Sequence, residues 1–383
     1  MRKLLSLLMA VVVVGCGGSG GETGPDGEAG GPDGGAVGPD GEVTGGWTPG
    51  TDAKGLVHFV GRFDLSDPVG PKFSWPGSTI KTRFRGTTLT VTLDEDTDTN
   101  RYDVFIDGKP TRVLSPTVGV GNYIVAVGLP DGLHDLELVK RTESYLGITQ
   151  LTGISGSPLV QTPAPDRYIE LIGDSVTTGH GVLGTSATCP FSSDTQAETQ
   201  AWGALAAAEL GVARATLAYS GKGVFRNFAP EDEEPFPVFY ERTLADIPDI
   251  QWNFAAYSPA VIVVNLGTND FIAGDPGQDF VDAYIAFVEQ IRGHHKNAWV
   301  IASTPTLIHD ADPAGEEQRT KVTEYLQEVV AHFQDAGDSK VQFLDLVETD
   351  PSDGYGCNYH PTIVTQQKLA DQVVAKVREL TGW

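Results

Sequence analysis

The spacing of apolar and polar positions changes period once along this chain, near residue 165. Before that point the alternation is short and strand-like. Leu89-Thr90-Val91-Thr92-Leu93 alternates strictly. Residues 102–109 run as a strand into the Asp107-Gly108 turn, and residues 123–127 and 133–139 continue the pattern. Period-two alternation cut by turn residues at short intervals predicts antiparallel strands packed as a small β-sandwich, or jelly roll, over residues 53–160. Gln161-Thr162-Pro163-Ala164-Pro165 then reads as a linker. Beyond it, apolar runs at 168–172, 214–219, 260–266, 298–303 and 341–346 alternate with helix-period segments at 201–210, 280–291, 315–336 and 365–380. Such alternation predicts an α/β domain over 161–383, with a parallel sheet covered by helices.

The N-terminal segment sets the expected compartment. Met1-Arg2-Lys3 is basic, and Leu4 to Val14 is apolar over a length suited to a signal peptide and too short to span a bilayer. It ends in Val13-Val14-Gly15-Cys16, which resembles a bacterial lipobox. The expectation is a leader over residues 1–16 with lipidation at Cys16, giving an exported lipoprotein of the cell envelope held to a membrane by its acyl chains. Residues 17–52 are dominated by Gly, Pro, Asp, Glu, Ser, Thr and Ala, with Gly-Pro-Asp-Gly recurring at 24, 31 and 38. That composition predicts a disordered spacer.

Charge narrows the partners. The formal net charge is −25; two bases in the leader and seven acids in the spacer leave −20 on residues 53–383. Nucleic acids and anionic polysaccharides are disfavoured, and a neutral substrate fits. A monomer is expected.

Four short motifs carry the chemistry, three of them at predicted strand ends. Gly173-Asp174-Ser175 ends the first strand of the α/β half, where such sheets bind ligands. Ser175 there is a candidate nucleophile, although a serine after a strand is often only a helix cap. Ser220-Gly221-Lys222-Gly223 follows the second strand, and the Gly221 N–H could point into the same crevice; a plain glycine turn reads equally well. Gly267-Thr268-Asn269-Asp270 closes the third strand, with Asn269 offering an amide donor or merely an Asx turn. Cys357-Asn358-Tyr359-His360-Pro361 precedes the last helical segment and presents His360.

In this order the four motifs resemble those of the SGNH, or GDSL-like, hydrolases. The resemblance implies Ser175 as nucleophile, His360 as base, and the Ser175 and Gly221 N–H groups with the Asn269 amide as oxyanion hole. The β-domain ahead of them, Lys140-Arg141-Thr142-Glu143 near its end, Gly173–Gly181 and the Cys189-Pro190-Phe191 segment look like carbohydrate esterase family two. Membership implies a serine esterase removing O-acetyl groups from plant-type polysaccharide, acetylated xylan or glucomannan, often at the 6-O position, without metal or cofactor. The His360 loop departs from the pattern. Related enzymes place an acid three or two residues before the histidine, where this chain has Cys357 and Asn358. A main-chain carbonyl orienting His360 is expected, with Asp353, the nearest upstream acid, as the competing orienter. Tyr359 is a candidate for stacking on a sugar ring, or for loop packing.

Once Cys16 is assigned to lipid, Cys189 and Cys357 remain, and an oxidising compartment favours a disulfide between them over two buried thiols. Two other functions stay open: a carbohydrate-binding lipoprotein with a weakened site, and an esterase of lipids or small esters.

Overall fold

In a computed structural model of the protein, residues 46–49, 55–311 and 313–383 are described. The leader, Cys16 and most of the 17–52 segment lie outside them. The antiparallel half is a two-sheet sandwich. One sheet runs Val57–Val60, Thr79–Arg85, Leu133–Lys140, Tyr102–Ile106, Lys109–Leu114, with Leu159–Val160 also paired to Thr79–Arg85. The facing sheet runs Lys72–Phe73, Thr149–Gly156, Leu89–Glu95, Gly119–Ala126. The strict alternation of Leu89, Val91 and Leu93 sends all three into the core with Phe84, Val104 and Leu138, leaving Thr90 and Thr92 half-buried.

The expected spacer extends too far at its C-terminal end. Trp47 exchanges backbone hydrogen bonds with Ile154, at 2.8 and 2.9 Å, and joins the sandwich core. A single indole buries more apolar surface than the surrounding glycines and prolines can offset, so composition averaged over the segment hid it.

The parallel half has five strands in the order Ala213–Ala218, Tyr168–Gly173, Val261–Asn265, Trp299–Ser303, Val341–Leu344. Residues 261–264 are buried on both faces. Val261 and Val263 pack towards helices Trp202–Leu210 and Ile363–Thr381, while Ile262 and Val264 pack towards Gln278–His294 and Gln318–Asp335. This two-sided burial is why the strand reads as a continuous apolar run. The order places the switch point beside the first strand, with the second strand on one side and the third on the other, and ligand sites form outside the carboxyl ends there.

The two halves are joined by buried polar groups. Arg62 leaves the sandwich, stacks over Tyr240, Trp252 and Phe254, and donates to the Tyr240 and Arg242 carbonyls. Trp75 Nε1 donates to the Thr243 carbonyl at 3.0 Å. The wholly buried Glu143 reaches the loop after the second parallel strand.

Candidate active site

Strand register brings three of the four motifs together. Gly173 pairs with Ala218 on one side and Asn265 on the other. Ser175, Gly221 and Asn269 follow that row by two, three and four residues, so each leaves the sheet at one level of its carboxyl edge.

Ser175 opens a one-turn helix, Ser175–Thr178, capped by Asp174, whose carboxylate accepts from the Val176 N–H at 3.0 Å. Burial raises the Asp174 carboxyl to about 6, opposed by that backbone bond. As the first helical residue, Ser175 keeps its own N–H outside the intrahelical ladder.

His360 arrives from the far end of the chain. Its Nε2 lies 2.7 Å from Ser175 Oγ, and its Nδ1 lies 2.9 Å from the Asn358 carbonyl oxygen. A carbonyl only accepts, so the proton sits on Nδ1 and Nε2 is free to take the hydroxyl proton. Desolvation first, and His180 second, push His360 down to about 4, against the backbone acceptors that raise it. The imidazole is therefore neutral over a wide acid range, with Nε2 able to accept a proton.

The carbonyl reaches the ring because the loop folds back on itself. Asn358 and Tyr359 both have left-handed backbones, at φ 55° and 59°. Asparagine tolerates that region and tyrosine much less, so the turn must be held from outside. It is held: Cys357 N–H donates to the Gly181 carbonyl at 3.0 Å, Asn358 N–H to Cys189 at 3.2 Å and Tyr359 N–H to Ala187 at 3.0 Å. A Cys189–Cys357 disulfide closes the same clamp.

Asp353 does not orient the histidine. Both its oxygens take Lys368 Nζ at 2.7 Å, and Thr365 Oγ1 donates to one at 3.3 Å. The ammonium at the start of the last helix draws the carboxylate away from the ring. Tyr359 is 59% exposed and meets Tyr355 edge-on.

Gly221 adopts φ +83°, and its N–H has no acceptor among the described residues. The Asn269 amide donates one hydrogen to the Lys222 carbonyl at 2.9 Å, which fixes the amide plane and leaves a second N–H for a ligand. Asp270 holds the loop that follows Gly221. Its carboxylate accepts from the N–H groups of Val224, Phe225 and Arg226 at 2.8–3.0 Å. A side chain at Gly223 would meet the Arg226 carbonyl at 2.1 Å and Asp270 at 2.4 Å, so only glycine fits there.

Three residues of the surroundings were not singled out as site residues by sequence reasoning. Asp270, Glu143 and His180 each act across long sequence separations. Asp270 sits beside a recognised motif and was the most readable of the three; Glu143 and His180 lay within quoted motifs with nothing to pair them. The set can bind an acyl group, accept a hydroxyl proton and donate to an oxyanion, which is the equipment of acyl transfer.

Comparison with known proteins assigns the class. Residues 59–163 match the family model described as carbohydrate esterase 2 N-terminal. Residues 171–368 match the GDSL-like lipase/acylhydrolase family. The chain belongs to carbohydrate esterase family two, and it is an esterase. A solved family-two carbohydrate esterase from Clostridium thermocellum, in complex with cellohexaose, is 33% identical, with TM-score 0.80 over 85% of this chain and 99% of that one. The cellulase/esterase CelE of Acetivibrio thermocellus is 32% identical over 342 residues, 88% of this chain, and the match spans 41% of that protein. An acetylxylan esterase / glucomannan deacetylase of Cellvibrio japonicus is 29% identical over 85% of this chain and 91% of its own length.

Proposed function

We propose that this protein removes O-acetyl groups from neutral plant-type polysaccharide, acetylated xylan or glucomannan, including 6-O esters, through a Ser175–His360 dyad. The observation that carries the reading is the 2.7 Å contact between Ser175 Oγ and an imidazole whose other nitrogen is spent on a backbone carbonyl. His360 takes the Ser175 proton as Oγ attacks the acetyl carbonyl. The Ser175 and Gly221 N–H groups and the free Asn269 N–H receive the oxyanion. The departing sugar hydroxyl takes the proton back from His360, and water, activated by the same imidazole, releases acetate. Among the described residues no carboxylate backs the imidazolium directly, which lowers turnover without removing nucleophile, base or oxyanion donors.

The substrate reading draws on the Cellvibrio japonicus relative, whose name gives acetylxylan and glucomannan, and on the net charge of −25, which suits an uncharged polymer. The exposed Tyr359, beside His360, is the proposed contact for a sugar ring. Acetate release from acetylated xylan, glucomannan and 6-O-acetyl sugars tests the whole. Well-folded Ser175→Ala should release none, and appreciable acetate from that variant would remove Ser175 from the mechanism.

We further propose that the chain is exported and tethered through Cys16. Mass spectrometry of the mature N-terminal peptide should show an acylated Cys16; an unmodified peptide retaining Met1 would refute it.

A further inference from the structure

We propose that Glu143, supplied by the β-domain, is a positioning residue of the esterase site: it fixes the Ser220–Gly221 peptide for the oxyanion and places behind His180 the negative charge that the His360 loop lacks. The inference rests on the Ser175–His360 reading above.

Glu143 is fully buried, and a buried carboxylate needs donors. It has three from the other half of the molecule: Ser220 N–H at 2.9 Å, Ser220 Oγ at 2.8 Å and Gln196 Nε2 at 2.9 Å. Ser220 is thus held by backbone and side chain to one group. The next N–H along the chain is that of Gly221. Glycine at φ +83° has no side chain to fix its peptide, so the clamp on Ser220 sets where that N–H points. The turn that carries Glu143 is held from behind. Lys140 Nζ, also fully buried, donates to the Thr142 and Glu143 carbonyls at 2.9 and 3.0 Å and locks the turn that presents it.

The same carboxylate faces the base through a stack of rings. His180 lies between Phe191, 4.3 Å away and nearly parallel, and His360, 4.4 Å away and tilted by 39°. His180 Nδ1 is buried with no hydrogen-bond partner among the described residues and stands 3.7 Å from Glu143 Oε1. Of the titratable groups near His360, His180, from the segment after the Ser175 helix, stacks on it directly, and Glu143 from the sandwich stands behind His180 with the Lys140 ammonium on its far side. Asp353 is bound to Lys368. As attack proceeds, positive charge develops on His360. Glu143 favours it electrostatically across the His180 ring, while a protonated His180 opposes it. This links the β-domain to the chemical step without any contact to substrate.

The test compares Glu143→Gln, Ser220→Ala and His180→Phe with wild type, measuring kcat, KM, the acid limb of kcat/KM and thermal unfolding. Glu143→Gln keeps the volume and removes the charge. It should lower kcat roughly 10- to 100-fold, below the full loss of an oxyanion donor, with KM within about threefold. Its acid limb should move to lower pH, because the protonated histidine loses a nearby anion. Ser220→Ala should lower kcat with the limb in place. His180→Phe keeps the ring stack and should move the limb to higher pH. If Glu143→Gln does not fold, the kcat of Ser220→Ala, which loses the hydroxyl that Glu143 holds, decides the matter: a wild-type kcat there overturns the clamp. Folded variants with wild-type kcat and unmoved limbs would overturn the role of Glu143. Acetate release retained by a folded Ser175→Ala variant would instead overturn the reading on which this rests.

Discussion

At the scale of single residues, the site depends on where one proton sits. The Asn358 carbonyl fixes the Nδ1–H tautomer of His360 and leaves Nε2 facing Ser175. Because burial depresses His360 to about 4 from its ordinary 6.5, the ring stays neutral until the pH falls towards 4. The unfolded chain binds the proton first, so this histidine's contribution to stability is lost across the same window, from about 6.5 down to about 4. We predict a kcat/KM acid limb near pH 4; a limb at 6.5 would contradict the desolvated base. The carbonyl points at the ring only while Asn358 stays left-handed at φ 55°. Asn358→Gly, which accepts that conformation freely, should retain most activity. Asn358→Val, β-branched, should lose roughly tenfold or more in kcat, since such side chains resist φ > 0. Equal activity in the two variants would show that this turn does not set the tautomer. Ser175, Gly221, Asn269 and His360 could be picked out in sequence because each belongs to a short motif, and the fold brings them to one edge of the sheet. The orienting carbonyl was expected from the resemblance to family two and from the missing acids at Cys357 and Asn358; the residues themselves carry no signal for it, since any residue can supply a carbonyl. The capture of Asp353 by Lys368 joins positions 15 residues apart, through a helix whose facing side is set by packing.

At the scale of elements, the strand ends do the assembly and the loops must be pinned to them. The parallel strands and long helices were readable from period alone, and their observed bounds differ by a few residues at most ends, where caps and turns decide. The one-turn helices Ser175–Thr178 and Thr268–Phe271 were not read, being too short for a periodic signal. Trp47 was absorbed into the spacer because its partner, Ile154, is far along the chain. The His360 loop is the element most dependent on a pin. Replacing Cys189 and Cys357 by serine should cost about 2–4 kcal/mol of stability, the usual range for a native bridge. It should also lower kcat roughly 10- to 100-fold, the scale of a small misplacement of a reacting group. Denaturation midpoints and kcat measured on the same sample separate the two effects, and unchanged kcat would mean that the backbone clamps suffice. Gly223→Ala should likewise reduce kcat by moving the Gly221 loop off the Asp270 carboxylate.

At the scale of the molecule, the sandwich and the α/β half are joined through charge as well as apolar surface. Arg62 is fully buried, 3.9 Å from Glu170, whose carboxylate also accepts from Tyr240 and Tyr257. Removing the cation leaves that carboxylate poorly compensated, so Arg62→Ala should destabilise the protein by about 3 kcal/mol or more. A fall in Tm tests this, and an unchanged Tm would show that the tyrosines alone satisfy Glu170. Such junctions were invisible in sequence: Arg62 and Glu170 are 108 positions apart and neither lies in a recognisable motif. The central claim is that Ser175, deprotonated by a carbonyl-held His360, attacks the ester. Its most direct test is covalent capture with a fluorophosphonate, followed by peptide mapping. One adduct is expected, on Ser175, forming as acetate release is lost and failing to form in His360→Ala. An adduct on another residue, or full acetate release from protein labelled at Ser175, would contradict it.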